Sequence, residues 1–152
     1  MLNNIKCIRF AKKNDLEHLS ELFNLYRCFY GRDSDLSLAA EFLSERLEQK
    51  DSVLFVAETE NDFIAGFAQL YPTFSSVSAK RAWILNDLYV SNHYRGYGIA
   101  TKIIHQALQF CRETDAAWLS LQTGQDNVQA QALYERIGFV RENYFCGFSY
   151  EF

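Results

Sequence analysis

The feature that most constrains this fold is a strand that leads through a glycine-bearing turn into a helix. A predicted strand ends at Asp87–Val90 (DLYV), the polar turn SNHYRGYG follows, and a long helix begins at about Gly98. Glycine allows a tight turn and a close approach of backbone to ligand. The first N–H groups of a helix lack intrahelical acceptors and attract anions, and Arg95 adds a cation at the rim. The sequence therefore predicts a phosphate- or pyrophosphate-binding turn at residues 95–101.

Two better-known phosphate-binding loops do not fit this turn. The P-loop string GxxxxGK[ST] is absent, and the dinucleotide pattern GxGxxG is incomplete because Thr101 stands where the last glycine is required. The alternative to an anion site is an ordinary strand–turn–helix corner that uses glycine only for its tight geometry.

Hydrophobic periodicity along the 152 residues predicts the element order β-α-α-β-β-β-α-β-α-β-β. We expect Pro72 to end the third strand. The order and length predict one domain over residues 1–152, of α/β (α+β) class, with a mixed central sheet of about seven strands and helices on both faces. The predicted strands are 5–10, 53–58, 63–71, 81–90, 117–122, 139–145 and 148–152, and the predicted helices are 14–30, 38–49, 98–113 and 126–137.

Composition excludes several classes of protein. With 15 Lys+Arg against 19 Asp+Glu and a net charge of −4, the chain as a whole does not supply the basic face of a sequence-independent nucleic-acid binder, which leaves a local basic patch as the alternative. No apolar run approaches the ~18 residues of a membrane span, and the start lacks the apolar core of a signal peptide. The cysteines form no CxxC pair and have no histidine at ligand spacing, so we expect no metal site and free thiols in a reducing cytoplasm. These cysteines are Cys7, Cys28, Cys111 and Cys146.

A second motif lies about thirty residues after the glycine turn, in the segment NVQAQALYERIGF, residues 127–139. By itself it is an amphipathic helix capped by Asn127, in which Tyr134 is a packing residue. The two motifs, in this order and topology, resemble the GNAT superfamily of N-acetyltransferases. Its acetyl-CoA motif [RQ]xxGx[GA] is matched at Arg95, Gly98 and Ala100, and its later NxxAxxLYExxGF segment is matched from Asn127 to Phe139. The resemblance covers nearly the whole chain and implies the GNAT fold.

The resemblance also implies which residues bind acetyl-CoA, the co-substrate. Residues 88–90 are expected to offer backbone groups to the pantetheine arm, and residues 95–101 to cradle the pyrophosphate through main-chain N–H groups. Asn127 is expected to bond the pantetheine or its neighbouring backbone, and Tyr134 to reach the sulfur. The implied acetyl-CoA-binding residues are Leu88, Tyr89, Val90, Arg95, Gly96, Tyr97, Gly98, Ile99, Ala100, Thr101, Asn127 and Tyr134.

The implied reaction is direct attack of a primary amine on the thioester within a ternary complex. A backbone N–H near Tyr89 is expected to stabilise the oxyanion. A phenol ordinarily has a pKa near 10 and a thiol one near 8.5, so Tyr134 can donate a proton to the departing sulfur. Asp87 is the candidate to take the amine proton through water, or to hold the ammonium; its alternative is a hydrogen-bonded strand residue. Because side chains alternate along a strand, we expect only one of Asn86 and Asp87 to face the site.

The acceptor is expected to lie against an aromatic wall, because aromatic faces bind cationic amines. Core packing is the alternative role for each wall residue. The catalytic candidates are thus Tyr134 and Asp87, and the substrate-binding candidates are Tyr26, Tyr30, Phe74, Trp83 and Asp87.

The predicted function is therefore N-acetyl transfer to a small cationic amine, or to a lysine or N-terminal amine of a protein. WILNDLYV with the YPTFSS loop resembles the histone- and diamine-acetyltransferase-like members. The alternatives are a CoA-binding regulatory or sensor module without turnover, and transfer of another acyl group such as succinyl, for which Arg81 would supply a cation. The C-terminal aromatic strands predict either burial in the chain's own sheet or pairing across the two-fold axis of a homodimer.

Overall fold

The computed structural model describes residues 4–152, in which five strands form one sheet. The strand order is β1-β2-β3-β4-β5, antiparallel except for the parallel pair β4–β5. The predicted mixed sheet is confirmed, with fewer strands than the seven expected. The strands are β1 (Ile5–Phe10), β2 (Val53–Thr59), β3 (Ile64–Ser75), β4 (Lys80–Val90) and β5 (Leu119–Ser120).

Four α-helices accompany these strands in the described part of the chain, each within a few residues of its predicted bounds. Asp35 caps the second helix by accepting a hydrogen bond from the backbone N–H of Leu38 at 2.9 Å. None of the described helices has the length and apolar character needed to cross a bilayer. The helices are α1 (Leu16–Phe29), α2 (Leu36–Gln49), α3 (Ile99–Glu113) and α4 (Val128–Ile137), with single 3₁₀ turns at Lys13–Asp15 and Asn92–Tyr94.

The described residues form two compact units, divided after Gln122. The first unit holds the sheet with α1, α2 and α3, and the second, Thr123–Phe152, holds α4. A single domain over residues 1–152 stays a prediction.

The sheet of the first unit is covered by helices on both faces, as the element order predicts. Helices α1 and α2 bury Leu19, Phe23 and Leu43 against one face, where Phe67 and Tyr89 belong to the same apolar cluster. Helix α3 covers the opposite face. The two helical layers leave the ends of the central strands as the places where a site can be built.

The expectation that Pro72 ends the third strand is wrong. Strand β3 continues to Ser75 and pairs with β4 as far as Ser75↔Lys80, with Pro72 opposite Trp83. Pairing between β2 and β3 stops at Val53↔Leu70, so beyond Leu70 strand β3 has a partner on one side only. Proline lacks a donor N–H, and strand edges tolerate it for that reason.

The predicted C-terminal strands 139–145 and 148–152 are also wrong. No strand is present from Phe139 to Phe152, which is why the sheet has five strands. Tyr144, Phe145 and Phe148 are almost fully exposed. Aromatic composition favours strands, but a strand also needs a neighbour to pair with its backbone, and that requirement is not local in sequence. The homodimer expected from these residues stays a prediction.

A group of charged residues anchors the start of α1 to the sheet edge. The Arg9 guanidinium donates to both carboxylate oxygens of Asp15 at 2.8 Å and to Glu58 Oε2 at 2.5 Å. The hydrogen bond from Arg9, with its charge and the nearby Lys6, lowers the pKa of Glu58 from 4.5 to about 2. The anchor therefore contributes to stability while Glu58 is ionised.

We expect Glu58→Gln to remove a pH-dependent part of the stability. A carboxyl group whose pKa is lowered in the folded state stabilises the fold above its unfolded value of about 4.5 and loses that contribution as the pH falls towards 2. Urea unfolding of wild type and variant at pH 7, 4 and 3 measures this. The difference in the free energy of unfolding should be largest at pH 7 and shrink with acid. Glu60→Gln, an exposed neighbour, is the control, and parallel curves for wild type and Glu58→Gln would contradict the expectation.

Candidate active site

The turn between β4 and α3 adopts the glycine-dependent conformation that its sequence predicts. Gly96 and Gly98 have φ angles of +82° and +73°, in the left-handed region. A Cβ at either position would meet no atom within 4 Å, so the turn requires glycine for its backbone angle rather than for space. The first intrahelical bond runs from Lys102 N to Gly98 O at 3.1 Å. The N–H groups of residues 99–101 therefore have no acceptor within the helix, an arrangement that favours anions, and their role towards acetyl-CoA stays a prediction.

Arg95 lies beside the end of β4. Its Nε donates to the carbonyl oxygen of Val90 at 2.9 Å, and its guanidinium lies 5.2 Å from the centre of the Tyr89 ring. Two contacts therefore hold this exposed cation between the strand end and the glycine turn. Its charge adds to the positive potential of the helix start.

Strand β4 has an open edge next to this turn. Its described pairs with β5 are Trp83↔Leu119 and Ile84↔Ser120, and from residue 85 to Val90 it pairs with β3 alone. In a strand, successive residues direct their N–H and C=O groups to alternate sides, so part of residues 88–90 presents backbone groups to the open side. These groups fit an extended amide-bearing chain such as a pantetheine arm.

A bulge in β4 interrupts the alternation of its side chains. Gln69 pairs with Asp87 and Leu70 with Leu85, which leaves Asn86 as the extra residue. Asn86 Nδ2 donates to Asp87 Oδ1 at 2.8 Å. The bulge removes the strict alternation on which the expectation for Asn86 and Asp87 rests, and which of the two faces the site stays a prediction.

Asp87 is the centre of a buried polar group between β3 and β4. Its side chain is 3% exposed, and Gln69, which is 0% exposed, donates from Nε2 to Asp87 Oδ2 at 2.5 Å. Asn86 satisfies the other oxygen. No described lysine, arginine or histidine is within ion-pair distance of this carboxylate. Neutral donors alone therefore hold the carboxylate in the described structure.

Helix α1 brings two predicted aromatic residues to the same place. The Tyr26 hydroxyl donates to the carbonyl oxygen of Asn86 at 3.2 Å, and its ring meets that of Tyr30 edge-on with 5.0 Å between centres. Tyr30 is more than half exposed. The structure thus brings Tyr26 to the bulge beside Asp87, with Tyr30 packed against Tyr26.

The phenols beside Asp87 are held in their neutral form. Burial, reinforced by the negative charge of Asp87, raises the pKa of Tyr26 well above its ordinary value of 10. The same two causes raise the pKa of Tyr71 to about 12. Both hydroxyl groups therefore act as neutral hydrogen-bonding groups throughout the physiological pH range.

Phe74 and Trp83 lie apart from this group. The Trp83 ring packs against Phe110 of α3 with 5.0 Å between centres, and its Nε1 donates to Thr114 Oγ1 at 3.0 Å, so it faces the α3 side of the sheet. The Arg81 guanidinium lies 5.2 Å from the Phe74 ring and 5.3 Å from the Trp83 ring. The substrate-binding roles of Phe74 and Trp83 stay predictions, and the structure does not bring these residues to Asp87.

The second unit carries the later motif on α4. Asn127 caps this helix, since its Oδ1 accepts a hydrogen bond from Ala130 N at 3.2 Å, as its position before the helix predicts. Gly138 ends the helix with a φ of +115°. The rings of Tyr134 and Phe139 meet edge-on with 5.9 Å between centres. The roles of Asn127 and Tyr134 towards acetyl-CoA stay predictions.

Sequence analysis missed three residues around Asp87. Ser52 Oγ donates to Gln69 Oε1 at 2.8 Å, and Gln69 Nε2 lies 3.2 Å from the Tyr71 hydroxyl. One signal was available: Gln69 is the only amide in the apolar strand FIAGFAQLY. A buried amide needs hydrogen-bond partners, so its presence there indicates a polar neighbour on an adjacent strand.

The donor set of the described residues fits an anionic ligand at the turn better than a metal ion. No group of three or more potential metal ligands occurs among residues 4–152. The turn instead offers backbone N–H groups and a cation, which suit a pyrophosphate.

Comparisons with known proteins agree with this geometry. The Acetyltransferase (GNAT) family matches residues 19–139. The chain is 46% identical over 138 residues to YhfO, an uncharacterized N-acetyltransferase of Bacillus subtilis (strain 168), covering 91% of this chain and 92% of that protein. It is 31% identical over 116 residues to a probable acetyltransferase of Haemophilus influenzae (strain ATCC 51907 / DSM 11121 / KW20 / Rd), covering 76% and 80%.

A solved structure extends the likeness to the fold. The crystal structure of a probable acetyltransferase has a TM-score of 0.91 and 40% sequence identity, and the match covers 96% of this chain and 97% of that chain. The glycine turn and the open edge of β4 thus occur within a fold shared with that protein. The chain is an acetyltransferase and belongs to the GNAT family, whose members use acetyl-CoA as co-substrate.

Proposed function

We propose that this enzyme transfers the acetyl group of acetyl-CoA to a primary amine, by direct attack within a ternary complex. The acceptor is a small cationic amine, or a lysine or N-terminal amine of a protein. The observation that carries the proposal is the buried carboxylate of Asp87, whose two oxygens are held by the neutral amides of Gln69 and Asn86.

A buried carboxylate without a cation favours a cationic ligand. Burying a charge is costly, and amide donors offset only part of that cost. An ammonium group near the bulge would complete the neutralisation. The faces of Tyr26 and Tyr30 support the same ligand, because aromatic rings attract cations.

The burial of Asp87 also indicates how it acts. With only 3% of its side chain exposed, direct contact with an acceptor is less favourable than contact through water. We therefore assign it two tasks: its charge attracts the ammonium, and a bridging water carries the amine proton to it. Asn86, which is exposed, forms the outer surface of this site.

Acetyl-CoA supplies the acetyl group as a thioester that an unprotonated amine can attack. The N–H groups of residues 99–101 and the charge of Arg95 are suited to its pyrophosphate, and the open backbone groups of residues 88–90 to its pantetheine arm. Asn127 is the proposed second contact to that arm.

Tyr134 is the proposed proton donor to the departing thiolate, from its phenolic oxygen. Direct transfer is further supported by the state of Cys111, because burial on α3 raises the pKa of its thiol to about 11. A protonated, buried thiol is a poor nucleophile for a covalent acetyl intermediate.

The acceptor class is tested by the release of CoA, detected as free thiol, with four groups of amines. Polyamines, aminoglycosides, lysine-bearing peptides and neutral amino acids are compared at equal concentration. We expect turnover with at least one cationic class and little with the neutral amino acids. Tight acetyl-CoA binding by calorimetry without turnover would favour a sensor module, and a preference for succinyl-CoA over acetyl-CoA would favour the other acyl group.

The role of Asp87 is tested by Asp87→Asn. We expect kcat/KM for the amine to fall by about 100-fold or more, because the variant loses both the charge and the proton acceptor, while the Kd for acetyl-CoA stays within about twofold. Asp115→Asn removes an exposed carboxylate that pairs with Lys80 and should leave both constants unchanged. Wild-type kcat/KM in a folded Asp87→Asn variant would contradict the role.

The role of Tyr134 is tested by Tyr134→Phe, which keeps the ring and removes the hydroxyl group. We expect acetyl-CoA to bind with nearly the same Kd and kcat to fall by about 10- to 1000-fold, since a proton donor to the leaving group is lost. Tyr144→Phe, at an exposed tyrosine of the same unit, is the matched control. Unchanged turnover in Tyr134→Phe would show that another group protonates the thiolate.

A further inference from the structure

A chain of hydrogen bonds leads from the start of β2 to the carboxylate of Asp87. Ser52 Oγ donates to Gln69 Oε1 at 2.8 Å, and Gln69 Nε2 donates to Asp87 Oδ2 at 2.5 Å. Gln69 is fully buried and lies directly opposite Asp87 in the ladder between β3 and β4. The Gln69 side chain therefore links Ser52 to Asp87, the residue that is proposed to receive the acceptor amine.

The two ends of the amide have different chemistry, and the chain fixes which end faces Asp87. A carboxylate only accepts hydrogen bonds, so it requires the Nε2 end of Gln69. The Oε1 end then points at Ser52, and the serine hydroxyl satisfies it. Without that hydroxyl the buried oxygen loses a donor, and the orientation that favours Asp87 loses part of its stabilisation.

The position of Gln69 is costly for stability, which separates it from ordinary core residues. Its strand neighbours Phe67, Ala68 and Leu70 are all fully buried and apolar. An apolar side chain at position 69 would avoid the cost of burying an amide. The bulge at Asn86 sets the register that puts this amide against the carboxylate. A buried amide that is hydrogen-bonded to a carboxylate fits a role in supporting a reactive group better than a role in core packing.

We propose that Gln69, oriented by Ser52, is a positioning residue that holds the Asp87 carboxylate in its charged form and in the direction needed for the amine. Gln69 does not touch the substrate in this assignment. This inference rests on the proposed role of Asp87 towards the acceptor. Variants of Ser52, Gln69 and Asp87 distinguish a failure of the positioning role from a failure of the role of Asp87.

The titratable groups around Asp87 allow a pH profile to report on this support. Tyr26 faces it from α1 and Tyr71 from β3, and both phenols remain neutral below about pH 9 because their pKa values are raised. The charges of Arg46 on α2 and of Asp51 also act on Tyr71. The acid limb of the profile is the fall of kcat/KM at low pH. A shift of this limb therefore reports on the Asp87 carboxylate and on the groups that donate hydrogen bonds to it.

The experiment compares Ser52→Ala with wild type in steady-state kinetics from pH 5 to 9, with the cationic amine that the CoA-release assay identifies. We expect kcat/KM for the amine to fall about 3- to 10-fold at pH 7, as for the loss of one hydrogen bond, and the acid limb to move to higher pH. KM for acetyl-CoA should change less than twofold. Ser52→Thr keeps a hydroxyl group and should restore kcat/KM and the acid limb.

Ser20→Ala is the matched control for a purely structural effect. Ser20 is buried, and its hydroxyl donates to the carbonyl oxygen of Leu16, so this variant also loses one hydrogen bond. It should leave the pH profile unchanged. An equal shift of the acid limb in Ser20→Ala and Ser52→Ala would overturn the proposal.

Gln69→Glu is the second variant, and it keeps the shape of the side chain. Two carboxyl groups at hydrogen-bond distance share one proton up to a higher pH, so we expect a larger shift of the acid limb than in Ser52→Ala. If both variants keep the wild-type profile while Asp87→Asn loses activity, the positioning role is wrong and the role of Asp87 stands. If Asp87→Asn itself keeps wild-type kcat/KM, the proposed function of Asp87 fails instead.

Discussion

The register between β3 and β4 is the constraint on which the site depends. One extra residue, Asn86, shifts the ladder so that Gln69 faces Asp87 across the strands while Leu70 faces Leu85. At this shift the Asp87 carboxylate is hydrogen-bonded by two amides, those of Gln69 and Asn86. The phenols of Tyr71 on β3 and Tyr26 on α1 lie beside this group. A ladder without the bulge would send Asn86 and Asp87 to opposite faces.

Strand β4 also leads into the glycine turn, which is the second part of the site. Strand β4 loses its β5 partner after Ile84, and the turn that follows opens α3 with unpaired N–H groups. The positive end of a helix and a buried negative carboxylate thus lie at the two ends of one short stretch of β4. A site with one positive and one negative end suits two ligands of opposite charge, here an anionic CoA and a cationic amine.

Local patterns predicted the elements of the first unit well, because helices and turns depend on neighbouring residues. The glycine turn at residues 96 and 98 and the bounds of α3 follow from short-range rules, as does the Asn127 cap of α4 in the second unit. Pro72 was misread because its tolerance depends on whether β2 extends beside it, which its own neighbours do not encode. The aromatic C-terminal residues were misread for a related reason, since strand pairing is decided by a distant partner.

The sequence by itself determined the family, the glycine turn and the candidate residues, because each depends on residue types at fixed spacing. Only the tertiary structure decided which candidates lie together. Tyr26 reaches the Asn86–Asp87 bulge across about sixty positions of chain, whereas Trp83, four positions from Asp87, faces α3. The structure alone also placed Ser52 and Gln69 beside the carboxylate. The physical reason is that cross-strand register and helix packing bring together residues whose separation in sequence carries no information about their distance.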